Sequence, residues 1–538
     1  MKQGVITSAL LVFLLAGCTK RSSPSPTATH PTPHSTVDET PRAGGTLRVM
    51  VEAEPPTLNP LVEHDAWTTW IALGAIYEPL VREDGVTGAL TPALAIRFDA
   101  PDDHTLHFAL RQGVSWHDGK PFTIDDVVAT FELLRAPGAS ADQRVDFVDL
   151  SSVERTSPSE VTLHFSHPAP LALRGIAHLP ILPAHLFNTG VDLDLRRVPA
   201  SRAPVGTGPF RFVSWRPGEV ITLEKNPRYW GDAPHIDRIE LRIVGDKEAA
   251  WELARRGELD LLWRLAPSQL ASPPPTGMHL VTWRLPTYSF VMWNLRQPGL
   301  GDPRVRQALT LLTDRARYLK VAFHGRATEV TGPFPLDSPS YDRTIVPWPF
   351  DPPRARRLLD EAGVRDRDGD GVREVDGKPF HITLVYPAES RSIEPLATMM
   401  QEDFKRAGIL LDVAPTEWAT MLDQRLRKHA FDAASFQWNM QPVQENYDVF
   451  HSSQAASGQN FGGLRDPEVD RLLDQLRRTP LGPARIALDH RLHRRIHDLQ
   501  PYTFLGCPEI DSLVADRVHG YSPSVNELGL SKLWIAAP

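Results

Sequence analysis

From Gly44 onward the chain mixes short runs of hydrophobic period two with longer runs of period near 3.6, the pattern of a mixed α/β body. Leu106, Phe108 and Leu110 alternate with His107 and Ala109, and Val161, Leu163 and Phe165 alternate with Thr162 and His164, which predicts two half-buried strands. Gly45 to Val49 predicts a further short strand. The run Glu54 to Pro60 that follows reads as an extended turn, because each proline disfavours helix in the residue before it. Asp302-Pro303, Asp351-Pro352 and Asp466-Pro467 each place a capping carboxylate before a proline, where the missing N–H costs nothing, so each predicts a helix start. Val305, Ala308, Leu309 and Leu312 then share one face, as do Ala355, Leu358, Leu359 and Ala362, and Gly363 ends the latter helix. Thr123-Ile124-Asp125-Asp126 is a capping-box variant leading into Val127, Phe131 and Leu134.

The N-terminus follows another pattern. Met1-Lys2 precedes an apolar run, Val5 to Ala16, of signal-peptide length and too short to span a bilayer, and small residues then precede Cys18. Leu15-Ala16-Gly17-Cys18 resembles the lipobox of bacterial lipoproteins, which implies a signal peptide over 1–17, a diacylglycerol thioether on Cys18 and an extracytoplasmic body anchored to a bacterial membrane. The stretch 18–43 is rich in Ser, Thr and Pro and nearly free of large apolar side chains, so it reads as a disordered tether.

At 538 residues the chain has material for two to four domains. A net charge of -8 with both signs interspersed offers no basic footprint for nucleic acid. Only Cys18 and Cys507 are present, so a lipidated Cys18 leaves no intramolecular disulfide. No Gly-x-Ser-x-Gly elbow, His-Glu-x-x-His helix or phosphate-binding Gly-x-x-x-x-Gly-Lys loop occurs, so the common enzyme templates find no support.

Five segments carry a resemblance. They are Leu110 to Val127 (LRQGVSWHDGKPFTIDDV), Pro204 to Phe210 (PVGTGPF), Leu223 to Gly231 (LEKNPRYWG), Asp302 to Leu309 (DPRVRQAL) and Asp466 to Leu473 (DPEVDRLL). In this order they closely resemble the extracellular solute-binding proteins, family 5, of peptide and nickel ABC importers. Each also has a local meaning: a tight glycine turn at Trp116 to Gly119, a sharp close-packed backbone at Gly206 to Pro209, and a strand end carrying Tyr229 and Trp230. None looks catalytic, so they read as determinants of fold.

The resemblance implies an α/β periplasmic-binding-protein-like fold of type II, a two-lobe venus flytrap with an extra inserted domain. Lobe I would comprise 44–88, 204–290 and 502–538, the inserted subdomain 89–203, and lobe II 291–501. It further implies a monomeric receptor, not an enzyme, that takes a peptide or peptide-like small solute, needs no cofactor and delivers to ABC permease subunits.

In peptide-binding members of this family an acidic residue just after a tryptophan holds the peptide amino group. Trp438 matches that tryptophan, with Asn439 next to it, but Gln441 stands where the carboxylate should be, while Glu445 and Asp448 lie farther along. Either Glu445 or Asp448 substitutes, or the ligand carries no free amino group there, since a buried ammonium without a charged partner is costly. Other candidate ligand contacts are His64, Asp65 and Trp67 after the first strand, Tyr288, Trp293 and Asn294 near a second crossing, and Trp418.

Two clusters stand apart. Asp366, Asp368 and Asp370 with Gly371 follow calcium-loop spacing, but Gly377 occupies the twelfth position where a bidentate glutamate is needed, so a solvated acidic turn is the preferred reading and structural calcium the alternative. His490, His493 and His497 share a helical face, yet Arg491, Arg494 and Arg495 would repel a cation, and the segment reads as a surface helix. Two further functions stay open at this stage: an exported hydrolase or chaperone on the same scaffold, and a receptor for a metal complex or an opine-like solute.

Overall fold

The computed structural model describes residues 41–62, 66–85, 88–136, 138–140, 144, 147–167, 172–187, 194–441, 443–444, 446–523 and 529–536. In chain order its principal strands are β1 (Thr46–Val51), β2 (Ala95–Asp102), β3 (Thr105–Leu110), β4 (Leu150–Ser157), β5 (Glu160–Phe165), β6 (Phe210–Arg216), β7 (Val220–Lys225) and β8 (Arg238–Ile243). They continue with β9 (Leu261–Leu262), β10 (Met278–Arg284), β11 (Thr287–Trp293), β12 (Ala327–Glu329), β13 (His381–Pro387), β14 (Leu410–Thr416), β15 (Ala433–Asn439) and β16 (Tyr502–Ala515). Twelve of them form one sheet in the order β14-β13-β15-β11-β16-β9-β1-β8-β7-β6, with β10 and β12 also pairing with β16. β2, β3, β5 and β4 make a separate antiparallel sheet, in that order. The alternation at Leu106–Leu110 and Val161–Phe165 therefore falls on β3 and β5, paired with each other.

β16 joins the two halves of the large sheet. Its first residues pair with β11, from Met292 opposite Tyr502 to Ser289 opposite Gly506, and its last seven pair with β10, from Arg284 opposite Glu509 to Met278 opposite Ala515. Each half has a parallel centre: β1 lies parallel to β8 and β9, and β13 parallel to β14 and β15.

The buried apolar side chains divide the same way. Leu47, Val49, Ile239 and Leu261 pack with Phe108, Val161 and Leu163 of the small sheet, while Met50, Leu262 and Leu513 pack with Ala250 and Ala254 on the opposite face. In the other half Val291, Trp293 and Leu384 pack with Leu309, Leu359 and Met400, and Tyr288, Phe290, Phe436 and Tyr502 with Leu472, Leu492 and Ile496. Among the described residues no buried cluster draws on both halves. Between them lie Leu285, Pro286 and Cys507. The Cys507 thiol donates to Leu285 O at 3.1 Å, and burial pushes it up to about 11.

Helix starts follow the Asp-Pro signals. The side chains of Asp302, Asp351 and Asp466 accept from the backbone N–H of Arg304, Arg354 and Val469, opening helices Pro303–Leu311, Pro352–Glu361 and Pro467–Arg478. Asp126 closes the predicted box on the Thr123 N–H at 2.8 Å and also accepts from the Trp116 indole at 3.2 Å.

Three of the signature segments tie into one knot. Gly119 turns the Trp116–Gly119 loop with φ 91°, and His117 accepts the Gly206 N–H at Nδ1 (3.1 Å) while its Nε2 lies 3.0 Å from Gly208 O. The acceptor role of Nδ1 puts the proton on Nε2. Asn226 donates to the same Gly208 carbonyl, and the buried carboxylate of Glu78 receives Thr207, Tyr229, Trp230 and Arg82. Backbone packing explains the glycine: a Cβ on Gly206 would sit 1.8 Å from the Ile76 carbonyl oxygen.

A fourth segment, Asp302–Leu309, holds the entry to β16. Arg306 is 2 % exposed and donates to the carbonyls of Leu300, Gly301, Leu499 and Gln500, the latter two closing helix Pro483–Leu499. Desolvation pushes its guanidinium down to about 10, so it stays cationic at neutral pH. Helix Pro483–Leu499 is not a surface helix on its histidine face. His493 is sealed against Tyr341, accepts the Asp342 N–H at 3.2 Å and meets Thr331 Oγ1 at 3.0 Å, and His497 reaches Thr331 O at 3.1 Å. The 3.6 period gave the shared face; what covers it comes from the 331–342 segment.

Two outcomes follow for stability. Arg306→Ala strands four carbonyls and should lower the unfolding free energy by about 3 to 4 kcal/mol, read from urea midpoints, with Arg306→Lys recovering little because one ammonium cannot reach all four. Burial, the leading cause for both, pushes His117 down to about 4 and His493 down to about 3. An unfolded histidine takes up its proton near 6.5, so between that pH and about 4 the unfolded chain binds more protons and stability falls as pH falls. Each should cost the fold on the order of 2 kcal/mol by pH 4.5, and a urea midpoint flat from pH 7 to 4.5 would contradict this.

Candidate functional site

In open α/β sheets ligands bind outside the carboxyl ends of parallel strands, at the point where strand order reverses. Here there are two such edges. The first is the end of β1, β8 and β9; the second is the end of β13, β14 and β15. The registers bring them to one place. Leu265, just beyond β9, donates its N–H to Asp511 O at 2.9 Å. Asn439, the last residue of β15, pairs with Thr287, two residues beyond the Ser289–Gly506 pair and so level with Pro508. From 508 to 511 is three residues of β16, about 10 Å at the rise of an extended strand. The two carboxyl edges thus point toward each other along β16, their ends about 10 Å apart in that direction.

Behind the first edge lies a row of indoles packed into the core. Trp67 meets Trp70 at 5.4 Å, Trp70 meets Trp263 at 4.4 Å, and Trp263 meets Trp283 at 4.6 Å between ring centroids. The Trp283 N–H donates to Ser512 Oγ at 3.3 Å, which lies 3.2 Å from the Tyr521 hydroxyl. Next to Trp263 stands Arg264, with a left-handed backbone of φ 52° and an exposed side chain. Lys247 donates to the Arg264 carbonyl at 2.6 Å and pairs with Glu52 at 3.0 Å.

Aromatic and amide groups make the second edge. Trp418, 39 % exposed, meets Phe436 edge-on at 5.7 Å, Phe436 meets Trp438 at 5.1 Å, and Trp438 stacks over Phe290 at 6.2 Å. Gln437, Asn439 and Gln441 are exposed, and Gln444 Oε1 accepts the Gln441 N–H at 3.0 Å. Beneath them Tyr502 stacks on Phe290 at 4.5 Å; burial pushes its phenol up, and the Trp438 N–H opposes that shift. Acids close by are engaged. Glu417 caps Ala419 and Thr420, whose N–H groups hold its carboxyl below the usual range, and Glu509 pairs with Arg284.

The candidate residues sort accordingly. Trp418, Trp438, Asn439 and Gln441 come together on the second edge, and Trp67 joins the first. Tyr288 pairs with Trp438 across β11 and β15 but lies buried beneath the edge. Trp293 and Asn294 are sealed in the core: the indole donates to Thr503 Oγ1 at 3.2 Å, and the amide to Phe431 O at 2.8 Å and His429 O at 3.1 Å. Both hold the sheet together and present no surface to a ligand. Asp448 is exposed on the short helix Tyr447–Phe450. His64, Asp65, Glu445 and Cys18 lie outside the described residues. Trp70, Trp263, Trp283 and Arg264 were not anticipated; a Trp-Arg pair directly after the apolar pair Leu261-Leu262 was the available signal.

The acidic loop brings carboxylate oxygens of Asp366, Asp368 and Glu374 within 4.8 Å of one another. Glu374, not the residue at the twelfth position, is the group that approaches. All three are at least partly exposed, and Asp366 and Glu374 already accept the N–H groups of Gly369, Gly371 and Arg367.

Residues 89–460 match the description of bacterial extracellular solute-binding proteins, family 5, middle region. The chain belongs to that family. Family 5 members are solute-binding receptors and not enzymes, and this one is 28 % identical to the oligopeptide-binding protein AppA of Bacillus subtilis, over 92 % of each chain. It is 30 % identical to protein XP55 of Streptomyces lividans, over 96 % of this chain and 91 % of that one. AppA in complex with a nonapeptide superimposes with a TM-score of 0.67 at 27 % identity, covering 93 % of this chain and 100 % of AppA. NikZ from Campylobacter jejuni with Ni(L-His) gives 0.65 at 25 % identity, covering 91 % and 99 %. The periplasmic-binding fold with an extra antiparallel sheet is thereby established for this family 5 chain. No helix among the described residues is long and apolar enough to cross a membrane.

Proposed function

We propose that this protein is a peptide receptor of an ABC importer, closing on a peptide or peptide-like solute between the two carboxyl edges and releasing it intact to permease subunits. The observation that carries this reading is the register: the carboxyl ends of β9 and β15 fall about 10 Å apart along β16, with a buried row of indoles behind the first, and Trp418, Trp438 and the neutral amides of Gln437, Asn439 and Gln441 at the second. Amides suit the N–H and C=O groups of an extended backbone, and aromatic walls tolerate varied side chains. The relation to AppA, whose structure holds a nonapeptide, supports the same ligand class.

The two halves are the two lobes of this receptor. We take the pivots to be Arg284 to Thr287 and Cys507 to Glu509, a few residues from the sequence-derived boundaries at 290 and 502, and the sheet β2-β3-β5-β4 to be the inserted subdomain, a reading that the division of the cores supports. Cys18 carries the lipid that anchors the body outside the cytoplasm, through the tether 18–43.

Calorimetry with peptides of two to nine residues tests this. One-to-one binding, a ligand-dependent rise in Tm and no cleavage product by mass spectrometry are expected. Trp438→Ala should weaken binding about tenfold or more with little loss of stability, since Trp438 is only half-buried. Glu445→Ala and Asp448→Ala, compared on free and N-acetylated peptides, show whether either carboxylate holds the amino group: loss confined to the free amine identifies the residue. Absence of binding to any peptide, with stabilisation by a nickel–histidine complex, would overturn the peptide reading.

A further inference from the structure

Arg264 stands out on the first edge for two separate reasons. Its backbone is left-handed at φ 52°, a conformation uncommon outside glycine and enriched at functional positions. Its guanidinium is exposed, and among the described residues it makes no hydrogen bond or ion pair, whereas nearby cations are compensated: Lys247 by Glu52, Arg284 by Asp337 and Glu509, and Arg326 by Asp511.

The surrounding packing fixes where Arg264 lies. Trp263 turns into the Trp70–Trp283 stack on one face of the sheet. Leu262 and Leu265 turn to the opposite face, against Met50 and Ala250. Left-handed backbone between them breaks the two-residue alternation, so Arg264 belongs to neither face and projects from the end of β9, one residue from the Leu265–Asp511 bond at the crossing. Opposite it, the second edge offers Trp418, Trp438, Asn439 and Gln441, all neutral. Among the described residues no acid is recorded against the Arg264 guanidinium: Glu417 caps Ala419 and Thr420, Glu509 pairs with Arg284, and Asp448 is exposed on its own short helix.

We propose that Arg264 is a specificity-determining residue that recognises a carboxylate of the bound solute, the C-terminal carboxylate when the solute is a peptide. A guanidinium presents paired N–H donors that match a carboxylate, and the dry indole wall beside it strengthens the contact. The acids that follow β8 at the same edge are engaged elsewhere: Asp246 accepts the Ala249 N–H at 2.7 Å, and Glu248 accepts the Ser268 hydroxyl at 3.0 Å. This inference rests on the peptide reading above.

The test uses the full chain and tri-, penta- and nonapeptides with neutral side chains, each made as free acid and as C-terminal amide. Wild type should bind the free acid about tenfold or more tightly than the amide. In Arg264→Gln and Arg264→Gly the ratio should fall to about one, mainly through loss of affinity for the free acid. Arg264→Gly also separates charge from backbone, because glycine adopts φ 52° without strain and should fold at least as stably as wild type. A wild-type ratio near one, or a ratio that survives both substitutions, overturns the role of Arg264 while leaving peptide binding intact. Failure of wild type to bind either form removes the peptide reading, and this inference with it.

Discussion

One continuous strand sets the geometry on which the proposed binding gap depends. β16 runs for 14 residues and is hydrogen-bonded to β11 at one end and to β9 and β10 at the other. Because side chains alternate with a period of two, a slip of one residue at either end would turn the corresponding wall inside out. Registry along β16 therefore decides that Leu265 ends level with Asp511 and Asn439 level with Pro508. It also decides that Phe290, Phe436 and Trp438 share a face over Tyr502. Gly506 sits where this ladder shifts register, and a Cβ there would meet a Leu319 methyl at 2.5 Å and the Thr328 carbonyl at 3.2 Å, so a larger residue would have to displace the Leu319 side chain.

The segments that place the chain in its family lie away from the gap. They surround polar groups buried for structural ends: Glu78 with four donors, His117 spanning Gly206 and Gly208, Arg306 collecting the end of the helix that feeds β16. A buried polar group is tolerated only when its partners are all in place, so each knot specifies residue type, spacing and turn together. Scaffold and recognition are in this way written in different stretches of the sequence. The scaffold is dense in short motifs; the walls of the gap are assembled from single residues of separate segments.

That division explains what could be read from the sequence. Period-two runs, capping carboxylates and prolines are local signals, and they marked β3, β5 and the three Asp-Pro helices correctly. Trp438 was named from the family's tryptophan at that position, and the structure leaves it half-buried at the end of β15. Trp293 and Asn294 looked like site residues because polarity and aromaticity say nothing about which side of a strand is covered; here Thr503 and the Phe431 carbonyl cover it. The Trp67, Trp70, Trp263 and Trp283 wall escaped notice because its members meet only once β9, β10 and the helix Ala66–Ile71 are placed against one another. The histidines of helix Pro483–Leu499 show the same limit, since periodicity reveals a common face but not its lid.

The separation of the cores bears on how the proposed receptor could work. Among the described residues no buried apolar cluster bridges the halves, so moving one against the other leaves each of these cores intact and strains chiefly the short connections around Pro286 and Pro508. Open and closed forms can then differ by only a few kcal/mol, and a ligand shifts the balance by whatever contacts exist only when both walls touch it. Moving such an equilibrium from 1:99 to 99:1 takes about 5.5 kcal/mol of differential affinity. A few indole contacts at about 1 kcal/mol each, with one carboxylate held by a guanidinium, reach that sum without a tightly matched pocket. A wall of aromatic rings and neutral amides thus reconciles closure with breadth. The contacts that close the gap belong to groups common to all peptides, while the side chains that differ between peptides meet surfaces indifferent to them.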